Sequence, residues 1–201
     1  MPLDVGLLAL QGAFREHGRA LRKLGARVRE LRQRRDIDGI DALIIPGGES
    51  TTMGKLLVDL GMLEPLRERL DAGMPVYGSC AGLILLCREI EDSPQPRLGT
   101  LDATVRRNAF GRQVDSFETP LPIAGMEGPA FPAVFIRAPV ITRVGAAVEV
   151  LASVNGQAVA VRQNRVLATS FHPELTRDLR VHRLFLHMCA NDAAPLSPRP
   201  R

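Results

Sequence analysis

The stretch VYGSCAGLILLC, Val76 to Cys87, sets one cysteine between two glycines where a short apolar run turns into a helical pattern. Free cysteines mostly behave as small buried hydrophobes, so Cys80 taken alone reads as packing. Gly78-Ser79-Cys80-Ala81-Gly82, however, has the G-x-nucleophile-x-G form that holds a reactive atom on a strained strand-to-helix turn. Glycines on both flanks are what such a turn requires sterically. The stretch therefore predicts an α/β chain in which the strand PVYG (Pro75 to Gly78) ends at an elbow and a helix runs from Ala81 to about Ile90.

Outward from the elbow, the first half alternates short apolar runs with helical periodicity, the pattern of a parallel sheet covered by helices. VGLLAL (Val5 to Leu10) precedes a helix near Ala13 to Leu24 with Phe14, Leu21 and Leu24 on one face; RVRELR and ALIIPGG follow. Met53, Leu56, Leu57 and Leu60 recur at i, i+3, i+4 and i+7, an amphipathic stripe, and a further helix is expected around Pro65 to Ala72. After the elbow the segments are short, extended and separated by Gly and Pro: LDATVRR, SFETPLPIA and PAVFIRAP. Val148 to Pro173 reads as a meander with Asn155-Gly156 as a two-residue hairpin turn. A closing helix near Arg177 to Ala190 carries Val181, Leu184, Phe185 and Met188 on one face.

With 201 residues, 45% of them hydrophobic, the chain is the size of one globular domain, expected over 1–190. The polar, Pro-rich end, 191–201, is expected to be a disordered tail. A formal charge of +4 invites a nucleic-acid reading, but the basic residues are scattered and aromatics make up only 4%, too few for base stacking. The first residues, MPLDVGLLALQG, carry Asp4 before the apolar run and read as a first strand rather than a signal peptide. No apolar run is long enough to span a bilayer, so no membrane association is expected. Cys80, Cys87 and Cys189 are an odd set without metal-ligand spacing. That argues for a reducing, cytoplasmic compartment and against a disulfide framework or metal site.

A thiol nucleophile needs a base, and the base needs a third group to hold its tautomer. Of the four histidines, only His172 sits at a strand end with a carboxylate two positions on, in SFHPEL, where Pro173 stiffens the step to Glu174. His17, His182 and His187 read as surface or packing histidines. IIPGGESTTMGK (Ile44 to Lys55) follows a strand and opens a helix, yet it is not a phosphate loop. Five residues separate Gly48 from Gly54-Lys55 where a Walker pattern needs four, and Leu56 stands in place of Ser or Thr. The backbone N–H groups of Gly47 and Gly48 can instead supply one half of an oxyanion hole, with Ala81 N–H as the other. The helix N-terminus also favours a thiolate at Cys80.

These segments resemble the class I (triad-type) glutamine amidotransferases, whose glutaminase domains carry an elbow cysteine and a late His-x-Glu. Within that class LALQG, PGGESTTM, GSCAGLILL, RRNAFGRQVDSFE, FIRAP and SFHPEL are similar, in order and from Val5 to about Ala190, to the glutaminase subunits of pyridoxal 5'-phosphate synthases. Many other members place Gln four positions after the nucleophile, where this chain has Ile84.

The resemblance implies a three-layer, flavodoxin-like α/β fold with a mixed, mainly parallel sheet, and a triad of Cys80, His172 and Glu174. It implies hydrolysis of L-glutamine through a cysteine thioester, with no cofactor. Substrate would be held by Gly48, Glu49, Ser50, Arg107, Ile136 and Arg137, with Arg106 as Arg107's neighbouring competitor. It also implies a partner, the barrel-shaped synthase subunit that receives the ammonia, with docking through the region of Gln11 and the Gly47-Gly48 peptide. The alternatives are a glutaminase serving another pathway, a hydrolase or chaperone of the related cysteine-elbow superfamily, and a silent binding module of the same fold. The second alternative is weakened by Ala81, because such proteins often carry His directly after the nucleophile.

Overall fold

Ala42–Ile45 is apolar and buried at every position, the mark of a strand covered on both faces. Val76–Ser79 and Val166–Thr169 are likewise buried at every position, and the three lie side by side. They form the centre of the computed structural model, which describes residues 2–107 and 116–190. Residues 108–115, the middle of RRNAFGRQVDSFE, and the Pro-rich end 191–201 lie outside the described residues.

In chain order the elements are β1 (Asp4–Leu8), α1 (Phe14–Lys23), β2 (Arg27–Leu31), β3 (Ala42–Ile45), α2 (Ser50–Asp59), α3 (Leu63–Asp71), β4 (Val76–Ser79) and α4 (Ala81–Leu86). There follow β5 (Cys87–Ile90), β6 (Leu101–Arg106), β7 (Ser116–Leu121), β8 (Phe131–Ile136), β9 (Val140–Val144), β10 (Glu149–Val154), β11 (Gln157–Gln163), β12 (Val166–Thr169) and α5 (Arg180–Ala190). The main sheet has seven strands in the order β10-β11-β12-β4-β3-β1-β2. Its β2, β1, β3, β4 and β12 are parallel, which is the flavodoxin-like order, while β11 and β10 extend one edge through two antiparallel pairings.

Period-2 alternation sends neighbouring side chains to opposite faces. Leu43 and Ile45 join one core with α2, α3, α4 and the small sheet β5-β6-β9. Ala42 and Ile44 join a second core with α1, α5 and the β7-β8 hairpin. This is the expected mixed, mainly parallel α/β architecture. Asn155 and Gly156 turn the β10-β11 hairpin with φ of +50° and +77°, the positive pair a type I′ turn needs.

Several expectations need correction. The elbow helix ends at Leu86, and Cys87–Ile90 is a strand paired with β6. A continuous apolar run carries no period, so only the tertiary partner decides where it changes state. Leu60 is 39% exposed, and Gly54 takes its place on the buried face of α2. A β-carbon at Gly54 would sit 2.5 Å from the Pro96 carbonyl oxygen, so α2 packs there through backbone. α3 begins at Leu63, two residues before the expected Pro65, α5 begins at Arg180 rather than Arg177, and β9 is a strand not anticipated from the sequence.

Beneath α1 and α5 the second core contains two fully buried histidines, His17 and His182, with His17 Nδ1 2.9 Å from His182 Nε2. Burial lowers the pKa of His17, and it lowers that of His182 to about 3. Between the ordinary 6.5 and about 3, the unfolded chain binds a proton at His182 that the folded chain does not. Stability therefore falls as pH drops through that window. Denaturant midpoints measured between pH 7 and pH 4 are expected to show this loss, and His182→Leu to flatten it. Gly82→Ala is expected to lower stability by about 1–3 kcal/mol in the same assay, since its β-carbon would overlap the Ile45 carbonyl oxygen at the strand-helix contact.

Candidate active site

Cys80 leaves β4 with φ +49° and ψ −101°, a left-handed conformation that costs a non-glycine residue about 1–3 kcal/mol. Packing enforces it. A β-carbon at Gly78 would sit 2.6 Å from the Gly82 carbonyl carbon, so strand and helix meet backbone to backbone. Cys80 N–H donates to Thr169 O of β12 at 2.8 Å, and Ile84 N–H returns to Cys80 O at 3.2 Å. The elbow is thus tied to the neighbouring strand and to its own helix.

In open α/β sheets, ligands bind beyond the carboxyl ends of the strands where the strand order reverses. Here the reversal lies between β1 and β3, and their following loops, Gln11 to Ala13 and Gly47 to Ser50, flank a cavity of about 410 Å³. Cys80, Ile84, Arg107, Ile136, Arg137, His172 and Leu175 complete its walls. Every proposed substrate contact therefore borders one space. Ala81 and Glu174 do not line it: Ala81 opens α4, and Glu174 is buried behind His172.

His172 is placed by two strands, for it follows β12 and its N–H donates to Val134 O of β8 at 2.8 Å. Its Nδ1 lies 2.7 Å from Glu174 Oε1. Its other side faces Gly47 and the elbow. A β-carbon on Gly47 would overlap His172 Cε1 and stand 3.4 Å from Cys80 Cβ, so this glycine leaves the ring its room. Burial works against a charged His172, but hydrogen bonds and charge from Cys80 and Glu174 outweigh it and raise its pKa to about 10. Glu174 is opposed by burial too, and His17 and His172 beside it hold its pKa below the ordinary carboxylate value. A protonated His172 and an ionised Glu174 thus stand in one row beside Cys80.

The loop after β3 is held by the loop after β1. Ala13 N–H donates to Gly47 O at 3.0 Å, and Glu49 N–H donates to Gln11 Oε1 at 2.6 Å. Across a trans peptide the Gly48 N–H points opposite to the Gly47 carbonyl. The Glu49 carboxylate caps α2, accepting from Thr51 N–H and Thr52 N–H at 3.1 and 2.7 Å. Arg107 Nη1 donates to Thr51 Oγ1 at 2.7 Å and Gln95 Oε1 at 3.0 Å, which holds its guanidinium at the cavity. Arg106, its competitor in the sequence, instead pairs with Glu91 at 2.5 Å. Ile136 O is 4.0 Å from Cys80 Sγ, and Arg137 follows it with φ +42°.

Two histidines expected only as surface or packing residues adjoin the site. His187 is exposed, but His17 and His182 are fully buried, and His17 Nε2 lies 3.3 Å from Glu174 Oε2. Their places on the inner stripes of α1 (Phe14, His17, Leu21) and α5 (Val181, His182, Phe185) indicate burial; nothing local indicates what they touch. Among the described residues, no group of three or more His, Cys, Asp or Glu is placed to hold a metal ion. Nor is any helix among them long and apolar enough to cross a membrane.

Known proteins match the chain over nearly its whole length. The chain is 57% identical, over 95% of its length and all of the relative's, to the pyridoxal 5'-phosphate synthase subunit PdxT of Deinococcus radiodurans. It is 59% identical to the subunit of the same name from Mycolicibacterium vanbaalenii, covering 91% of this chain and 96% of that one. A crystal structure of a glutamine amidotransferase superposes with a TM-score of 0.89 at 53% identity, covering 93% of this chain and 99% of its own. PurLQS of Thermotoga maritima, with a TM-score of 0.67 at 15% identity over 93% of this chain and 99% of its own, shares the fold. The family model for SNO glutamine amidotransferases matches residues 7–191, and the chain belongs to that family.

Proposed function

We propose that this chain is the glutaminase subunit of a pyridoxal 5'-phosphate synthase, hydrolysing L-glutamine to L-glutamate and ammonia with Cys80, His172 and Glu174 as its triad. The observation that carries the reading is the strained elbow of Cys80, opening on one cavity with a His172 held by a buried Glu174. The names of the relatives above, synthase subunits at 57% and 59% identity, support the pathway.

In this mechanism the Cys80 thiolate attacks the side-chain amide carbon of glutamine, and the carbonyl oxygen becomes an oxyanion. N–H groups at Gly47, Gly48 and Ala81 are the donors assigned to it. As the C–N bond breaks, the His172 imidazolium gives its proton to the departing nitrogen, leaving ammonia and a thioester on Cys80. His172, now neutral, takes a proton from water; the resulting hydroxide equivalent attacks the thioester, and glutamate leaves as the Cys80 thiolate returns. Glu174 holds the His172 tautomer throughout. The Arg107 and Arg137 guanidinia suit the substrate's α-carboxylate, and the loop of Gly48, Glu49 and Ser50, with Ile136, suits its ammonium and backbone. Ammonia that escapes to water is protonated and lost, so the reaction requires an acceptor: the barrel-shaped synthase subunit, in a hetero-oligomer. Three free, buried cysteines suit a cytoplasmic setting.

The decisive experiment measures glutamate release by the purified chain with and without the synthase subunit. Strong stimulation by the partner is expected, and Cys80→Ala is expected to lower turnover by at least about 10³-fold. No turnover with the partner bound would overturn the reading in favour of a silent module.

The pH dependence has a definite sign. His172 carries its proton below about 10 and loses it above, so the acid needed by the leaving nitrogen persists through neutral pH and disappears on the alkaline side. The kcat/KM profile is expected to fall with a midpoint near 10, and Glu174→Gln, which removes a supporting charge, to move that midpoint down.

A further inference from the structure

Glu174 is a buried carboxylate whose two oxygens are unequally served. Oε1 faces His172 Nδ1 at 2.7 Å. Oε2 has no hydrogen-bond partner of ordinary geometry among the described residues, and His17 Nε2 stands 3.3 Å from it. An unserved buried carboxylate oxygen is costly, so the contact between α1 and the turn at Pro173–Leu175 bears directly on the triad.

His17 has few freedoms. It is fully buried, its Nε2 lies 3.0 Å from Ser79 Oγ, and its Nδ1 lies 2.9 Å from His182 Nε2. The Tyr77 ring stands edge-on to it at 5.9 Å and is itself fixed by a 2.8 Å hydrogen bond between its hydroxyl and Thr169 Oγ1. Two independent considerations select one tautomer. With the proton on Nδ1, His17 would present a lone pair from Nε2 to an ionised Glu174, which is repulsive. That choice would also make His182 Nε2 the acceptor and leave its Nδ1–H as a buried donor with no partner. With the proton on Nε2, His17 points a donor between Ser79 Oγ and Glu174 Oε2, and His182 Nε2–H serves His17 Nδ1. On the two imidazoles the orphan is then an acceptor nitrogen of His182, the less costly kind.

Resting on the glutaminase reading above, we propose that His17 is a positioning residue for the triad. Its Nε2–H, hydrogen-bonded to Ser79 Oγ and standing 3.3 Å from Glu174 Oε2, fixes the carboxylate that orients His172 and couples it to the residue preceding the nucleophile. His182 acts one step further out by locking the His17 tautomer. The titratable groups facing His17 are Glu174 and His172 from the segment after β12, His182 from α5, Tyr77 from β4 and Glu16 from its own helix. Cys80 acts through His172.

The test compares the parent with His17→Leu, which removes the donor, and His17→Gln, whose amide N–H can reach where Nε2–H did. Titration of the His172 ring by NMR is read alongside glutamine turnover in the presence of the synthase subunit. For His17→Leu the alkaline midpoint of His172, about 10 in the parent, is expected to fall. Its kcat is expected to drop about 10–100-fold with KM for glutamine little changed, the usual scale for losing an orienting partner. His17→Gln is expected to recover most of both. A folded His17→Leu with the parental His172 midpoint and kcat would overturn the proposal and leave His17 as packing. If His17→Leu does not fold, the parent decides: imidazole ¹⁵N shifts showing Nε2–H at His17 support the proposal, and Nδ1–H overturns it. The His172 titration needs no glutamine turnover, so a parent that fails to hydrolyse glutamine would sink the functional reading while leaving the positioning role separately measurable.

Discussion

The approach of α4 to β3 and β4 without intervening side chains is the constraint on which this molecule is built. Gly78 and Gly82 touch backbone to backbone, and Gly82 rests on the Ile45 carbonyl. With the helix that close, the residue joining strand to helix has to turn sharply, and it does so at Cys80 with a positive φ. The strain is offset by burial: all six residues of α4 are buried, and Leu83, Leu85 and Leu86 are fully enclosed. The apolar core thus holds a polar residue in a conformation it would not otherwise adopt.

The rest of the site follows from which strands neighbour β4. β12 lies on one side, so the chain leaving it delivers His172 to the elbow, and Cys80 N–H is anchored on Thr169 of the same strand. β3 lies on the other side, and beyond it β1, so their two loops meet at the reversal of strand order and brace each other through Gln11 and Ala13. Each cavity wall is therefore carried by a hydrogen-bonded strand and not by a free loop, which suits chemistry that requires fixed geometry.

The same arrangement couples stability to electrostatics. Glu174 stays ionised although buried because His172 and His17 flank it, while His17 and His182 stay neutral because burial prevails. One polar row thus runs from the cavity into the second core, and α1 and α5 form its inner end. α1 thus both packs the second core and, through His17, contributes to the electrostatic setting of the site.

Much of this was legible in the chain. Alternating apolar runs announced the parallel sheet, the paired glycines announced the elbow, and the two-residue spacing of His172 and Glu174 announced a pair that local geometry brings to 2.7 Å. These features are local, since they depend on φ/ψ preferences, side-chain periodicity and neighbours within one turn. What the sequence left open was decided by partners distant along the chain. The apolar run after Cys80 becomes a strand at Cys87 because β6 is there to pair with it. Gly54 displaces Leu60 from the buried face because another backbone presses on α2. Arg107 and not Arg106 reaches the cavity because alternation along β6 sends Arg106 to Glu91. His17 meets His182 across 165 positions, and the stripe on a helix reports that a side chain is buried without reporting what it touches. Periodicity along one element is a one-dimensional property; hydrogen-bond partners between elements exist only once the layers have packed.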